Sequence, residues 1–291
     1  MRVALLSIED LSDFVADDEL LVEPLRDLGH EAEFVPWRAA VEWQDYGGVV
    51  IRTTWDYQNH LTEFLRVLRE IETQTRLANP LGLVKWNADK KIYLQDIEKR
   101  GGRIIPTIWS NSQIDSRQVE AWFEQLQTEE IVIKPTIGAN AQYAFRLTRG
   151  AVDAGVLSEV FEKRSYMVQP FMRNIVEEGE FSLFYFNGTY SHTILKTPKT
   201  GDFRVQEEHG GIIQATKPEA NLLVTGEQIM RYISPTPLYA RVDFVRTDDG
   251  EFAVVELELI EPSMYLREAA HAPRMFAEAI DKWLPHERTK T

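Results

Sequence analysis

Residues 241–262 read RVDFVRTDDGEFAVVELELIEP. Two runs rich in β-branched and aromatic residues, Leu238 to Arg246 and Glu251 to Leu259, flank Asp248-Asp249-Gly250, so the segment predicts an antiparallel hairpin. Side chains two apart on a strand share a face. Glu256 and Glu258 therefore project together, alternating with Val255, Leu257 and Leu259. A solvated polar face is the plain explanation of one such strand. Asp243, between Val242 and Phe244 on the preceding strand, changes the picture. A turn with an even number of residues sets Asp243 opposite position 254, diagonal to Glu256 and on its face, whereas an odd turn reverses this. Three carboxylates on one face repel one another. In water that is tolerable, but in a cleft it calls for cations, and Mg²⁺ takes carboxylate oxygens together with nucleotide phosphates.

Upstream, Ile131 to Lys134 is a short apolar strand broken by Pro135. A cation at its end either snorkels out to water or binds an anion. Lys90 opens a predicted helix, Asp89 to Lys99, just after Asn87, and taken alone each lysine is explained by solvation. Asn187-Gly188 joins Phe181–Phe186 to Tyr190–Leu195 as a second hairpin. The first 85 or so residues alternate differently: strands at Arg2–Ser7, Glu31–Val35 and Gly48–Arg52, helices at Glu19–Leu28 and Leu61–Ile71. That order predicts a small α/β domain with a largely parallel sheet. Further predicted elements are a strand over Ile104–Trp109 and helices over Ser116–Leu126 and about Leu266–Trp283.

With 291 residues the chain can bury a large core, and the absence of cysteine excludes disulfides, thiolate metal sites and a cysteine nucleophile. A net charge of −14 argues against a nucleic-acid partner and against an anionic membrane surface. No apolar run has the length of a membrane span, and the start of the chain lacks the pattern of a signal peptide, so a cytoplasmic protein is expected. There is no GxxxxGK[ST], no GxGxxG after the first strand, no HExxH and no GxSxG.

Taken in order, the segments resemble the ATP-grasp superfamily, and most nearly the ATP-binding domains of prokaryotic glutathione synthetase and the ribosomal-protein glutamate ligases. The likeness runs from about Asn87 to Pro262. Asn87-Ala-Asp-Lys90 is similar to the family's first lysine segment, and Ile133-Lys134-Pro135 with Gly138-Ala-Asn140 to its second lysine and phosphate loop. Met167-Val-Gln169-Pro170-Phe171-Met172 resembles the hinge that reads adenine. Gly201-Asp-Phe-Arg204, followed by Gly210-Gly211, resembles a substrate and phosphate segment. Asp243, Glu256-Leu-Glu258 and Pro262 resemble the metal-binding aspartate and the Glu-x-Asn-x-x-Pro signature. Glu258 replaces the usual Asn, Pro170 stands where an acid is common, and only Gly138 represents an often glycine-rich loop. Residues 256–266, with Arg52-Thr-Thr-Trp55-Asp-Tyr57, resemble the branch that includes D-cycloserine synthetase.

The resemblance implies an α/β (α+β) chain with an ATP-grasp fold: an N-terminal domain over 1–86 with a small parallel sheet, then an ATP-grasp domain over 87–291. Within the latter it implies a lid subdomain at about 106–172 and a C-terminal metal-binding subdomain with an antiparallel sheet at about 173–291. It implies an ATP- and Mg²⁺-dependent carboxylate–amine ligase working through an acyl phosphate, with a phosphotransferase or a non-catalytic nucleotide-binding protein as alternatives. Lys90, Lys134 and Gly138 would hold phosphates, Gln169 to Met172 the adenine, and Glu177 or Glu178 the ribose. Asp243, Glu256 and Glu258 would hold two Mg²⁺ ions. Arg204, with Lys196, would stabilise transferred charge. Gly210 and Gly211 would let backbone amides approach an anion. Arg52, at the end of a strand, suits a substrate carboxylate or else a surface salt bridge. Trp55 and Tyr57 wall the pocket or pack between domains, and Glu261 holds a substrate ammonium or has no such role. The expected partner is a small amino-acid-like substrate, in a monomer or a homodimer.

Overall fold

The computed structural model describes residues 1–12 and 14–285. β1 (Arg2–Ser7), α1 (Val22–Asp27), β2 (Glu31–Pro36), β3 (Gly48–Thr53), α2 (Leu61–Gln74) and β4 (Leu77–Ala78) build a parallel sheet of order β2-β1-β3-β4. Its central strands β1 and β3 are apolar and almost wholly buried, as strands covered on both faces must be. The helix expected over Glu19–Leu28 is shorter. A 3₁₀ turn at Asp18–Leu21 leads into α1, because Pro24 has no N–H and is tolerated only in a first turn.

α3 (Leu81–Asn87) and α4 (Lys90–Lys99) follow, the second capped by Asp89, whose carboxylate accepts from the Lys91 amide at 2.9 Å. A second, antiparallel sheet of order β5-β8-β6-β7 comes from β5 (Ile108–Ser110), α5 (Ser116–Leu126), β6 (Glu130–Pro135), β7 (Phe145–Thr148), α6 (Ala154–Phe161) and β8 (Tyr166–Pro170). β7 and α6 have no counterpart in the sequence reading. The strand expected over Ile104–Trp109 pairs with β8 only at 108–110, while Ile104 forms a lone parallel bridge to Val254. Pro106 removes a ladder donor between the two.

The third sheet is antiparallel, of order β11-β10-β9-β12-β13, from α7 (Asn174–Glu177), β9 (Glu180–Phe186), β10 (Thr189–Thr197), β11 (Ile212–Thr216), α8 (Ala220–Arg231), β12 (Tyr239–Arg246) and β13 (Phe252–Glu258). Asn187 and Gly188 take φ of 47° and 74°, the left-handed pair that a tight hairpin demands. α9 (Ala272–Trp283) starts later than expected because Pro273 sits in its first turn, behind a separate 3₁₀ turn at Leu266–Glu268. One apolar core joins the first sheet to the third: Leu5 and Val50 pack with Phe184, Phe186 and Ile280. Two buried asparagines stitch the same boundary. Asn79 donates to the Tyr239 and Leu259 carbonyls at 3.0 and 2.8 Å. Asn87 donates to the Leu257 carbonyl and accepts from the Leu259 amide, both at 2.8 Å. β13 is thereby fixed against the start of α4.

Candidate active site

A cleft opens between the second and third sheets, with the ends of β3 and α3 along one wall. Its floor is the β12–β13 hairpin. The turn between Arg246 and Phe252 holds five residues, an odd number that would turn Asp243 away from Glu256. The ladder slips by one residue at Val255, and this bulge sets Asp243 directly opposite Glu256, with Arg241 opposite Glu258. All four side chains line the cleft.

Cations hold these acids in place. Lys90 donates to the Gly138 carbonyl at 2.6 Å and lies 2.9 Å from Glu256. Lys196 bridges Glu180 at 2.5 Å and Asp243 at 3.2 Å. Arg241 contacts Asp243 at 3.0 Å and also pairs with Glu258. Burial works to raise the Asp243 carboxyl, but Arg241 and Lys196 overcome it and hold it down at about 2. Burial also pushes Glu258 up, with Glu256 adding to it; Arg241 offsets only part, and the carboxyl settles at about 7. Burial lowers the Lys134 ammonium, and among the described residues no acid forms an ion pair with it. Period-two spacing with Asp243 was the signal that could have found Arg241; Glu180 carries no such local sign.

At the far end, Val132, Ile105, Phe171, Met172, Ile175 and Val255 form an apolar slot beside Gln169 and Pro170. Gln169 donates to the Thr107 hydroxyl at 2.9 Å. The Phe171 amide is spent on the Glu130 carbonyl at 2.9 Å, whereas the Met172 amide has no partner among the described residues. The glycine-poor loop after β6 turns by placing Asn140, Ala141 and Tyr143 at φ of 54°, 52° and 59°, which glycine would adopt without strain.

Several expected residues stand elsewhere. Arg52 is wholly buried outside the cleft: its Nε contacts Asp18 at 2.5 Å and it donates to the Pro262 carbonyl at 2.9 Å, so it is not free for a substrate carboxylate. Glu178 is held by the Arg246 fork at 3.0 Å, and Glu177 faces a surface hollow that shares Phe171 with the cleft, so neither lines the cleft itself. Gly210 and Gly211 do not line it either; a side chain on Gly211 would strike the Val205 carbonyl, so that glycine serves chain packing. Trp55, Tyr57 and Glu261 do line it, and the Trp55 indole donates to the Glu261 carbonyl at 2.9 Å. Arg204 lines it as well, paired with Asp202 at 2.8 Å and with its side chain 36% exposed.

Among the described residues, no three carboxylate or imidazole groups form a ready-made metal cage. The oxygen donors of Asp243, Glu256 and Glu258 have the hardness that Mg²⁺ requires, and Mg²⁺ is ordinarily completed by substrate phosphates and water.

The fold and this cleft define an ATP-grasp ligase. The chain belongs to the ATP-grasp family: residues 91–246 match the prokaryotic glutathione synthetase ATP-grasp domain, and residues 3–79 match the N-terminal domain of D-cycloserine synthetase DcsG. Its homologues are C–N-bond-forming ligases, and ATP-dependent carboxylate–amine ligation is the activity of the group. The cycloserine biosynthesis protein DcsG of Streptomyces lavendulae is 30% identical over 280 residues, covering 89% of this chain and 91% of that protein. Glutathione synthetase of Prochlorococcus marinus (strain MIT 9313) is 26% identical over 210 residues, 71% of this chain and 62% of that protein. The crystal structure of D-cycloserine synthetase DcsG superimposes with a TM-score of 0.86 at 27% identity, covering 98% of this chain and all of that one. D-alanine–D-alanine ligase from Bacillus anthracis, at 16% identity, shares the fold with a TM-score of 0.67, covering 97% of this chain and 95% of that one. No helix among the described residues is long and apolar enough to cross a membrane.

Proposed function

We propose that the chain activates the carboxylate of a small amino-acid-like substrate as an acyl phosphate and passes it to an amine. Where one molecule carries both groups, the product is cyclised, as in the D-cycloserine synthetase it resembles. The observation that carries this reading is the convergence, in one cleft, of two lysines and the Asp243–Glu256 pair. The apolar slot at Gln169–Met172 takes adenine, with the Pro170 carbonyl as acceptor and the Met172 amide as donor. Lys134 and Lys90, with the loop at Gly138, clamp the α- and β-phosphates, so that phosphoryl transfer rests on positioning and charge. Asp243, Glu256 and Glu258 would hold Mg²⁺, two ions on this reading, which would neutralise phosphate charge when bound. Lys196 keeps Asp243 ionised and in place. Arg204, on an arm exposed enough to swing from Asp202, stabilises the transferred phosphoryl group.

On this reading residues 1–86, through Trp55 and Tyr57, close the substrate end, and residues 87–291 carry the nucleotide. The lid covers about 106–172 and the metal-binding subdomain about 173–291, of which 286–291 lie outside the described residues. On this reading the enzyme would work in the cytoplasm, where ATP and free amino acids are at hand. The test is ADP release with amino acids and O-substituted serines, singly and in pairs, with mass spectrometry of the products. Turnover by a single compound supports cyclisation, and a strict need for two supports an intermolecular ligase. Turnover only with a polypeptide acceptor contradicts the small substrate.

A further inference from the structure

Most charges in the cleft are matched. Glu256 has Lys90, Glu180 and Asp243 share Lys196, Glu258 has Arg241, and Arg204 has Asp202. Among the described residues Lys134 has no ion pair, and Glu208 is exposed at the rim of the cleft. Glu261 is different: it is only 9% exposed, yet among the described residues its side chain has no ion pair and no hydrogen bond beyond its own backbone amide, and it opens onto the cleft. An isolated buried carboxylate is costly, and its ionised form needs a cation.

The surroundings specify the cation. Trp55 and Tyr57, from the turn after β3, line the same end of the cleft. The Trp55 ring is held by its bond to the Glu261 carbonyl and by Phe14, 5.1 Å away between ring centroids. Aromatic faces attract organic cations, whereas Mg²⁺ keeps its waters and asks for more oxygen ligands. Gln58, on the same turn, adds an acceptor: its Nε2 is spent on the Trp55 carbonyl at 3.1 Å, and its Oε1 is buried without a donor. The wall thus offers acceptors and aromatic faces to a group that is all donor. We propose that Glu261, with Trp55 and Tyr57, is a subsite for a primary ammonium of the small-molecule substrate, and that it restricts the enzyme to carboxylates bearing a free amine. This rests on the small-carboxylate reading above and adds its selectivity.

Calorimetry on the full-length protein loaded with MgAMP-PNP tests it, using matched probes: both enantiomers of O-methylserine against 2-hydroxy-3-methoxypropanoate, in which a hydroxyl replaces the amine. The wild-type protein should bind the better amino enantiomer about 10- to 100-fold more tightly than its hydroxy partner, the range of one charge-assisted contact. Glu261→Gln should shrink that preference to about threefold or less while AMP-PNP affinity stays unchanged. Because the wild-type comparison needs no substitution, a poorly folding variant does not remove the test. Equal binding of both probe series by the wild-type protein overturns the subsite and leaves carboxylate activation standing, as does a preference that survives in Glu261→Gln. Binding of neither series to the nucleotide-loaded protein overturns the small-substrate reading, and the subsite with it.

Discussion

Asp243 on β12 lies directly opposite Glu256 on β13, and the bulge at Val255 is what puts it there. Without that slip, a five-residue turn would send the two carboxylates to opposite faces of the sheet. They meet in the cleft beside Lys90, 2.9 Å from Glu256, so Glu256 touches both the β12–β13 hairpin acids and the start of α4.

Glu256→Gln preserves shape and removes one charge. Turnover should fall by about 10²-fold or more, the loss typical of deleting one preorganised charge-stabilising group. Circular dichroism should show the fold retained. A variant that keeps more than a tenth of wild-type turnover would take Glu256 out of the chemistry.

Lys134 has no acid to lose among the described residues, and burial holds its ammonium below the usual lysine range. Lys134→Ala should therefore weaken ATP binding by about 1.5–3 kcal/mol without lowering the stability of the nucleotide-free protein. Unchanged ATP affinity by calorimetry would remove the lysine from the phosphate site.

The raised Glu258 carboxyl gives a pH signature. A carboxyl raised in the folded state stabilises below its unfolded value, near about pH 4.3, and that contribution is lost as pH rises through about 7. Asp243, held down at about 2, works the other way: its contribution is present above about pH 3.9 and lost as pH falls through its folded value. Urea unfolding without Mg²⁺ should show wild-type stability falling by on the order of 1–3 kcal/mol between pH 5 and 8, relative to Glu258→Gln. Parallel pH profiles for the two proteins would show that Glu258 does not titrate in this window.

Arg52 and Asp18 form a buried pair 2.5 Å apart. Arg52→Met strands Asp18 and should cost about 3–5 kcal/mol of stability, and pairing it with Asp18→Leu should recover much of that loss. A variant as stable as the wild type but with a raised KM for the carboxylate would return Arg52 to the substrate site.

What the sequence made legible was local. The spacing of Leu61, Phe64, Leu68 and Ile71 marks the buried face of α2, and Asn187-Gly188 marks its hairpin, because both depend on neighbours in the chain. The lysines and the three cleft acids were recognisable through family segments read in order. The misplaced residues depend on distant partners. Arg52 meets Asp18 across 34 positions, and Glu178 meets Arg246 across 68, so no spacing rule reveals that either is already taken. The Val255 bulge is likewise a property of the sheet: β13 reads as a regular strand, and the slip exists only in its pairing with β12.

The central claim is that this cleft couples ATP cleavage to C–N bond formation on a small carboxylate. Mass spectrometry of a single-turnover mixture, with ADP and free phosphate counted alongside, tests it most directly. The account predicts one ADP and one free phosphate for each product formed, with the product one water lighter than the compounds joined. ADP with a stable phosphorylated product and no free phosphate would contradict it.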